Sequence, residues 1–298
     1  MFSRRHPFLF FVLVFTAIVA SAVVLTSLIG LFGGKKSEAR FGEKVGVIPI
    51  EGMMTDSRKV LSQIKSFREQ EGIKAIVLRI NSPGGAVGPA QEIYREIRKT
   101  AEEKKVVASL GGVAASGGYY VASATDGIMA NPGTVTGSIG VIMAYTNFQD
   151  LLEKIGLRPV IIKSGKYKDM GSPMREMSDK ERALLQEFTD TVHTQFIEAV
   201  ARGRKKSSQS VREIADGRIF SGQTAQEYGL VDRLGNLQDA IDWAGKLGGI
   251  KGKVTAVYPP REKPPILEYL MDMLGAELKS QLGKMASGTP GYLYVPQD

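Results

Sequence analysis

The chain has 298 residues, of which 43% are hydrophobic and 23% are charged, so it can bury a core and is not a disordered polymer. It contains no cysteine, which excludes disulfides, zinc–thiolate sites and a cysteine nucleophile. The net charge of +8 is partly concentrated around the N-terminus, and the sequence lacks the dense basic stripe with interleaved aromatic residues that is typical of a nucleic-acid surface. We therefore expect no nucleic-acid partner.

The first predicted element is a transmembrane helix over residues 8–32, which contain no charge. At about 1.5 Å rise per residue, this helix covers a hydrocarbon core of roughly 30 Å. A cleaved signal peptide is the alternative, because residues 20–22 are small. However, the apolar region of a signal peptide is usually only about 7–15 residues long. We therefore favour an uncleaved anchor in the lipid bilayer.

The orientation of this anchor is not fixed by charge. Arg4 and Arg5 precede the apolar segment, and Lys35 and Lys36 follow it, so the positive-inside rule is nearly balanced. A short tail ahead of a large domain favours an orientation with the tail inside and the domain outside. We therefore expect a single-pass protein of the cell (inner) membrane. The large domain is then expected on the extracytoplasmic side.

Strands and helices alternate after a polar linker at residues 35–43. Strands are predicted at residues 45–50, 75–80, 106–110, 127–130, 139–145, 159–162 and 253–258. Helices are predicted at residues 56–71, 90–99, 117–124, 148–155, 178–202, 210–214, 221–228 and 237–247. The helix at 178–202 begins with a capping box, in which Ser178 and Glu181 satisfy each other's backbone N–H groups. This alternation predicts an α/β domain with a mainly parallel sheet.

The predicted organisation has four parts. Residues 1–34 form the tail and anchor, residues 35–43 the linker, residues 44–258 the main domain, and residues 259–298 a C-terminal extension. The main domain ends at prolines 259, 260, 264 and 265. Within the extension, residues 266–284 are predicted as an amphipathic helix and residues 287–298 as an extended segment.

Two glycine-rich loops follow predicted strands, at residues 81–85 and 111–119. In α/β folds, ligand sites form beyond the carboxyl ends of strands, which is where both loops lie. No Gly-Lys pair is followed by Ser or Thr, and no Gly-x-Gly-x-x-Gly follows a strand, so neither loop has a phosphate-binding pattern. We predict neither a cofactor nor a metal.

Ser116, in the second loop, is a candidate nucleophile. A serine at a tight strand-to-helix turn exposes its hydroxyl, and the backbone N–H groups that follow can stabilise developing negative charge. Small residues flank Ser116, so a peptide backbone could approach it closely. The same pattern is compatible with a turn that serves only packing.

A nucleophilic serine needs a base. The chain has two histidines: His6 lies at the membrane boundary, and His193 is interpreted as an ordinary residue in the middle of a helix. Lysine remains, although a lysine acts as a base only where burial or nearby dipoles lower its pKa. Three lysines, Lys163, Lys166 and Lys168, follow a predicted strand, and the pattern alone does not choose among them.

Four motifs occur in order along the sequence: residues 79–85 (RINSPGG), residues 115–120 (ASGGYY), residues 136–141 (TGSIGV), and residues 164–169 (SGKYKD) with Ser172-Pro173. Together they resemble those of the short form of the signal peptide peptidase A family, the membrane-bound serine proteases of bacteria and archaea. The resemblance covers roughly residues 44–258 and the N-terminal anchor, with no departure at the catalytic positions.

This resemblance implies a role for six residues. The resemblance implies that Ser116 is the nucleophile and that Lys168 is the general base. It implies that the Ser138 hydroxyl hydrogen-bonds the lysine. Gly84 and Gly85 match the oxyanion loop, and Gly117 matches a second oxyanion donor. It also implies a spiral of ββα units similar to that of Clp protease and crotonase. A homo-oligomeric ring, an octamer by resemblance, is implied, in which neighbouring subunits complete the active sites. The implied substrates are residual signal peptides and other apolar peptides.

Three alternatives stay open at this point. A crotonase-like acyl-CoA enzyme uses oxyanion loops on the same kind of spiral. A protease that acts on stomatin-type membrane proteins, or a non-catalytic scaffold, also fits the fold.

The role of the C-terminal extension also stays open: it either docks between subunits or is trimmed by the enzyme itself.

Overall fold

The computed structural model describes residues 43–260 and 291–293, together with Phe8, residues 15–17 and residues 19–21. The chain divides into two units, residues 1–42 and residues 43–298. The described residues of the first unit are helical, and most of the predicted anchor lies outside the described residues. Within the described part of the chain, no helix has the length and apolar character needed to cross a membrane.

The second unit alternates strands and helices. Its strands are β1 (Lys44–Glu51), β2 (Ile73–Ser82), β3 (Gly84–Ala86), β4 (Lys105–Ala115), β5 (Gly127–Ala130), β6 (Val135–Gly137), β7 (Ile219–Ser221), β8 (Arg233–Leu234), β9 (Thr255–Val257) and β10 (Gly291–Leu293). Its helices are α1 (Arg58–Glu69), α2 (Val87–Ala101), α3 (Gly117–Ala122), α4 (Gln149–Lys154), α5 (Asp179–Arg204), α6 (Ser208–Arg212), α7 (Gly222–Glu227) and α8 (Leu237–Leu247).

Eight of these strands form one sheet, whose central path runs β7-β6-β4-β2-β1-β9. Every pairing in it is parallel except that of β6 with β7. Parallel strands need crossover connections, and the helices that supply them cover both faces of the sheet. The predicted α/β class with a mainly parallel sheet is confirmed.

Two apolar cores lie on the two faces of this sheet. On one face, alternate side chains of β1 and β2, such as Ile48 and Leu78, pack with α1, α2, α3 and α5. On the other, Val47 and Val77 pack with α8. Because both faces of the sheet are covered, the sequences of β1 and β2 are nearly continuous apolar runs and do not alternate between apolar and polar residues.

Strand β4 positions the candidate site because it changes partner along its length. Its first half pairs with β5, from Val107 to Leu110, and its second half pairs with β6, from Val113 to Ala115. The glycine-rich sequence after residue 110 therefore continues as a strand. This extends β4 five residues beyond the predicted end, up to the residue before Ser116.

Two predicted strands are wrong. Residues 139–145 and 159–162 have no extended strand, although Ile142 forms a single bridge. Their apolar residues suggested buried strands, but Ile142, Val160 and Ile162 are 50%, 86% and 97% exposed. An apolar run predicts a strand only where a sheet in the same chain buries it. The capping box of Ser178 and Glu181 is confirmed.

Candidate active site

Ser116 lies at the turn between β4 and α3. Its backbone has φ 52° and ψ −120°, a region that residues other than glycine rarely adopt. Its N–H donates to the Gly137 carbonyl at 2.9 Å, and its carbonyl accepts from the Tyr120 N–H at 2.8 Å. These two hydrogen bonds fix the turn from both sides. Strain of this kind costs about 1–3 kcal/mol and is concentrated at functional positions.

The hydroxyl of Ser116 is buried, with the residue 1% exposed, and Oγ has no hydrogen-bond partner among the described residues. An unpaired buried hydroxyl costs about 1–3 kcal/mol, so this position is unfavourable for stability alone. Two other buried serines are paired: Ser82 Oγ donates to the Gly84 carbonyl at 3.3 Å, and Ser123 Oγ donates to the Tyr120 carbonyl at 2.7 Å. Strain and an unpaired hydroxyl at one residue favour a chemical role over a packing turn.

Ser138 lies next to this turn, directly after the neighbouring strand β6. Ala115 and Gly137 are register partners in the β4–β6 pair, so the residues that follow them, Ser116 and Ser138, leave the sheet side by side. Ser138 is 7% exposed, with φ 49°, and its N–H donates to the Arg218 carbonyl at 2.8 Å. The second serine predicted for the site is therefore adjacent to the first in the strand register.

Gly84 and Gly85 form the first part of β3, which follows β2 at the same edge of the sheet. Their φ angles are 115° and 156°, and a Cβ on Gly85 would come within 2.3 Å of the Met54 carbonyl oxygen. The Met54 N–H donates to the Gly84 carbonyl, and the Ala86 N–H donates to the Met54 carbonyl, both at 2.8 Å. Peptide groups alternate in direction along a strand, so the N–H of Gly85 points to the opposite edge.

The loop with Gly84 and Gly85 and the turn with Ser116 belong to one cluster. Ser82 pairs with Ala114 across β2 and β4, and β3 packs against α3. A Cβ on Gly118 would lie 2.7 Å from the Ser82 carbonyl oxygen, so only glycine permits this approach. The first N–H groups of a helix, here from Gly117 onward, have no intrahelical acceptor. Both predicted sources of oxyanion donors thus converge near Ser116.

Lys168 is not part of this cluster within one chain. It lies in the segment of residues 141–177, which we call the arm, and its side chain is exposed. Its N–H donates to the Gly165 carbonyl at 3.2 Å, and among the described residues no hydrogen bond joins Lys168 to Ser116, whose Oγ has no partner there. The structure therefore brings together Ser116, Ser138, Gly84, Gly85 and Gly117, and among the described residues it leaves Lys168 exposed and without a hydrogen bond to any of them.

Asp169, the residue after Lys168, is part of an ion-pair network that connects the arm to α5. Asp169 accepts hydrogen bonds from Arg175 Nε at 3.0 Å and from Lys163 Nζ. Arg175 also donates to both carboxylate oxygens of Glu181 on α5. The Arg175 guanidinium, followed by Lys163, holds the pKa of Asp169 far below its usual range. Arg175 likewise lowers the pKa of Glu181 to about 2, with help from Ser178.

Replacement of Arg175 by alanine should release the arm, because Asp169 and Glu181 then lose their shared partner. We expect faster proteolysis within residues 141–177 and a peptidase activity lower by roughly tenfold or more, as expected when a catalytic group is misplaced. Lys105→Ala breaks the ion pair with Asp126 at the other edge of the sheet and is the matched control. Equal proteolysis of both variants would contradict an anchoring role.

The pH dependence of this anchor follows from the lowered pKa of Glu181. A carboxyl whose pKa is lower in the folded state stabilises the fold above its ordinary value of 4.5. That contribution is lost as the pH falls toward about 2. The arm is therefore expected to stay anchored at neutral pH.

Much of the arm is apolar and exposed to solvent. Its exposed apolar residues are Ile142, Tyr145, Phe148, Leu151, Ile155, Leu157, Val160, Ile161, Ile162 and Met174. Single exposed apolar side chains are ordinary, but a contiguous stretch of sequence with this many marks a contact surface. The segment that carries Lys168 thus has the character of an interface.

A cavity of 460 Å³ lies beside Ser138 and was not foreseen from the sequence. Residues 140–142, Asp216 and Gly217 line it together with one face of α5, including His193. The Nε2 atom of His193 is buried without a hydrogen-bond partner among the described residues. The sequence placed His193 in mid-helix but gave no signal that this helix face lies near Ser138.

Met54 is a second residue that the sequence did not indicate. It follows β1 and therefore lies at the same carboxyl edge as the two glycine-rich loops, which is the signal that could have identified it. In the described residues, no group of three or more His, Asp or Glu side chains is placed to hold a metal.

A serine hydroxyl at a strained turn, beside backbone donors at the carboxyl edge of a parallel sheet, is typical of a serine-dependent acyl-transfer enzyme. Comparison with protein families identifies the chain more closely. Residues 98–251 match Peptidase family S49, and residues 45–134 match the Clp protease family. The chain belongs to peptidase family S49 and is a serine-type peptidase.

Curated relatives agree with this assignment. A Synechocystis protein named as the protease slr0021 is 46% identical over 210 residues, which are 70% of this chain and 76% of that protein. An Enterococcus faecium protein named as a signal peptide peptidase SppA is 35% identical over 244 residues, which are 75% of this chain and 71% of that protein. The chloroplast serine protease SPPA of Arabidopsis thaliana is 36% identical over 81% of this chain and 37% of that protein. The resemblance to the signal peptide peptidase A family is confirmed.

Proposed function

We propose that this chain is a membrane-anchored serine endopeptidase with a Ser116–Lys168 dyad, which degrades residual signal peptides and other apolar peptides near the membrane. The observation that carries the proposal is Ser116 itself. Its backbone is strained, and its buried hydroxyl has no partner among the described residues; it lies next to the N–H of Gly117 and the loop of Gly84 and Gly85. The reaction class follows from the membership of the chain in peptidase family S49.

In the proposed mechanism, the neutral amine of Lys168 takes the proton of Ser116, and Oγ attacks the peptide carbonyl. Backbone N–H groups of Gly85 and Gly117 hold the oxyanion, and Ser138 orients the amine. The lysine then gives its proton to the leaving amine, and water hydrolyses the acyl-enzyme. The products are two peptides, and the enzyme regains its starting protonation.

We propose that Lys168 acts as the base on Ser116 of another copy of the chain. Lys168 is exposed on an arm with many exposed apolar residues, and the Ser116 hydroxyl has no partner within the described part of one chain. Association of copies through the arm would bury this apolar surface and could bring Lys168 into the dry environment that a neutral amine needs. We therefore propose a homo-oligomeric ring, an octamer by the family resemblance, with sites completed between subunits.

Membrane attachment is the second part of the proposal. The uncharged sequence of residues 8–32 supports an anchor, and its few described residues are helical. A single-pass topology in the cell membrane would place the peptidase unit on the extracytoplasmic side. Apolar signal peptides left in the bilayer would then lie within reach of the site.

Acylation of the nucleophile tests this function directly. We expect a fluorophosphonate probe to react with the detergent-solubilised full chain, and mass spectrometry of the digested protein to place the adduct on Ser116. A parallel assay with an acyl-CoA thioester tests for the crotonase-like activity and should show no turnover. An adduct on another residue, or thioester turnover without labelling of Ser116, would contradict the proposal.

A further inference from the structure

The ladder between β2 and β4 is interrupted shortly before the candidate nucleophile. Ile80 pairs with Leu110, and the next pair along the strands joins Ser82 to Ala114. One residue of β2 therefore lies opposite three residues of β4, residues 111–113. Extra residues in one strand leave backbone groups without a ladder partner, and such bulges are over-represented next to active sites. The end of β4 and the turn that follows it lie directly beyond this bulge.

The side chain of Asn81 fills the gap in the ladder. Asn81 is the single residue of β2 at the bulge, and its backbone carbonyl accepts from the Gly52 N–H at 3.0 Å, on the side of β1. Its side-chain Oδ1 accepts from the Val113 N–H at 3.2 Å. Asn81 thus bonds to both neighbouring segments, to the end of β1 through its backbone and to β4 through its side chain.

The carbonyl groups at the start of the bulge also accept from side chains. Arg79 donates to the Leu110 carbonyl at 3.1 Å, and Thr134 Oγ1 donates to the Gly111 carbonyl at 2.7 Å. In a regular ladder the neighbouring strand satisfies such groups, because an unpaired peptide group away from water is unfavourable. At this bulge, side chains therefore take the place of the missing ladder partners.

The fit between Asn81 and β4 is close. A Cβ on Gly111 would lie 3.0 Å from both Cβ and Oδ1 of Asn81, and 3.1 Å from the Ile80 carbonyl oxygen. Glycine at this position lets β4 approach β2 where the ladder is interrupted. The first glycine of the second glycine-rich loop is therefore explained by its contact with Asn81.

The bulge determines where Ser116 lies. Beyond it, residues 113–115 of β4 pair with β6 in place of β5, and Ser116 follows, with its N–H donating to the Gly137 carbonyl. Val113, whose N–H Asn81 accepts, is the first residue of this second pairing. Because an extended backbone connects the two residues, a displacement at Val113 also displaces Ser116.

We propose that Asn81 is a positioning residue for the nucleophile: its amide oxygen fixes the bulge at Val113 and so places Ser116 against the oxyanion donors. This inference rests on the proposed function and names a further residue on which the reaction depends. Asn81 is exposed, so the loss of its hydrogen bond should cost little stability. A misplacement of about 1 Å at a reacting group, in contrast, can cost about 10²-fold in rate.

Two substitutions of nearly equal size separate the oxygen atom from the bulk of the side chain. Asn81→Asp keeps an acceptor for the Val113 N–H, and Asn81→Leu does not. In the full chain in detergent, Asn81→Leu should lower kcat on a short apolar peptide by at least about tenfold, with little change in KM. Labelling of Ser116 by a fluorophosphonate should slow by a similar factor. Asn81→Asp should keep kcat within about threefold of the natural chain.

Asn236→Leu is the matched control. Asn236 is also exposed, and its Oδ1 accepts from the backbone N–H groups of Gln238 and Asp239 at the start of α8. Its replacement removes a helix cap, so it should lower the unfolding temperature more than Asn81→Leu does and leave kcat unchanged. The proposal is overturned if Asn81→Leu keeps the natural kcat or if Asn81→Asp is as slow as Asn81→Leu. A fall in unfolding temperature larger than that of the control would assign Asn81 to stability and overturn it as well.

Hydrogen exchange at the Val113 amide provides a readout that does not depend on activity. Exchange should be faster in Asn81→Leu than in the natural chain, and it should stay slow in Asn81→Asp. If exchange differs in this way but no chain is labelled at Ser116, the proposed function fails while the support of the bulge stands. If the natural chain is labelled and exchange is identical in all three chains, positioning by Asn81 fails while the peptidase stands.

Discussion

Replacement of Ser116 by alanine should abolish peptide hydrolysis, with a fall in kcat of at least about 10⁴-fold, as found when a nucleophilic serine is removed. The same variant should be as stable as the natural chain or more stable, because it removes a buried hydroxyl that has no partner among the described residues. Loss of function together with unchanged or increased stability is the result expected of a residue kept for chemistry. Turnover of an apolar peptide and thermal unfolding measure the two effects.

Ser123→Ala is the matched control for this substitution. Ser123 is also fully buried, but its Oγ donates to the Tyr120 carbonyl, so alanine there should reduce stability by about 1 kcal/mol and leave hydrolysis intact. Ser116→Gly extends the test to the backbone. Relief of about 1–3 kcal/mol of strain exceeds the added entropy cost of glycine, about 0.5–1 kcal/mol, so we expect an inactive protein stabilised by roughly 1 kcal/mol.

His193→Ala examines the rival base. The His193 imidazole lines the cavity beside Ser138, so it is a rival base that the structure places near the candidate site. We expect this variant to keep hydrolytic activity. An inactive His193→Ala together with an active Lys168→Ala would show that the proposed dyad is wrong.

The second large effect is the recovery of activity from two inactive variants. Lys168→Ala and Ser116→Ala should each be inactive as pure proteins. When they are co-expressed with different tags and purified through both tags, sites that combine the intact serine of one copy with the intact lysine of another should form. Random assembly gives about a quarter of the sites both groups, so we expect about a quarter of the natural activity.

This experiment separates three arrangements of the base. If Lys168 acted within its own chain, the mixed assembly would stay inactive. If another residue were the base, Lys168→Ala alone would be active. Co-expression of Ser116→Ala with the double variant that also carries Lys168→Ala is the negative control. Lys166→Ala, two residues from Lys168 and in contact with the Tyr167 ring, should keep full activity.

The elements that could be predicted from the sequence are those that depend on local signals. The capping box of Ser178 and Glu181 located the start of α5, and the apolar runs of β1 and β2 located the centre of a parallel sheet. Helix α8 and strand β5 have the predicted bounds. Local pattern also made Ser116 a candidate nucleophile, because small residues after a strand allow a backbone to approach a hydroxyl closely, and its catalytic role stays a prediction.

The sequence by itself thus determined the α/β class, the position of the candidate nucleophile and the two glycine-rich loops after strands, since each depends on residues close together along the chain. Only the tertiary structure decided which distant segments meet at Ser116. It brought Met54, Ser138 and the strand of residues 291–293 to one edge, and it left Lys168 exposed on the arm. Such contacts depend on strand register and on the burial available within one chain, and neither is encoded in the spacing of residues along the sequence.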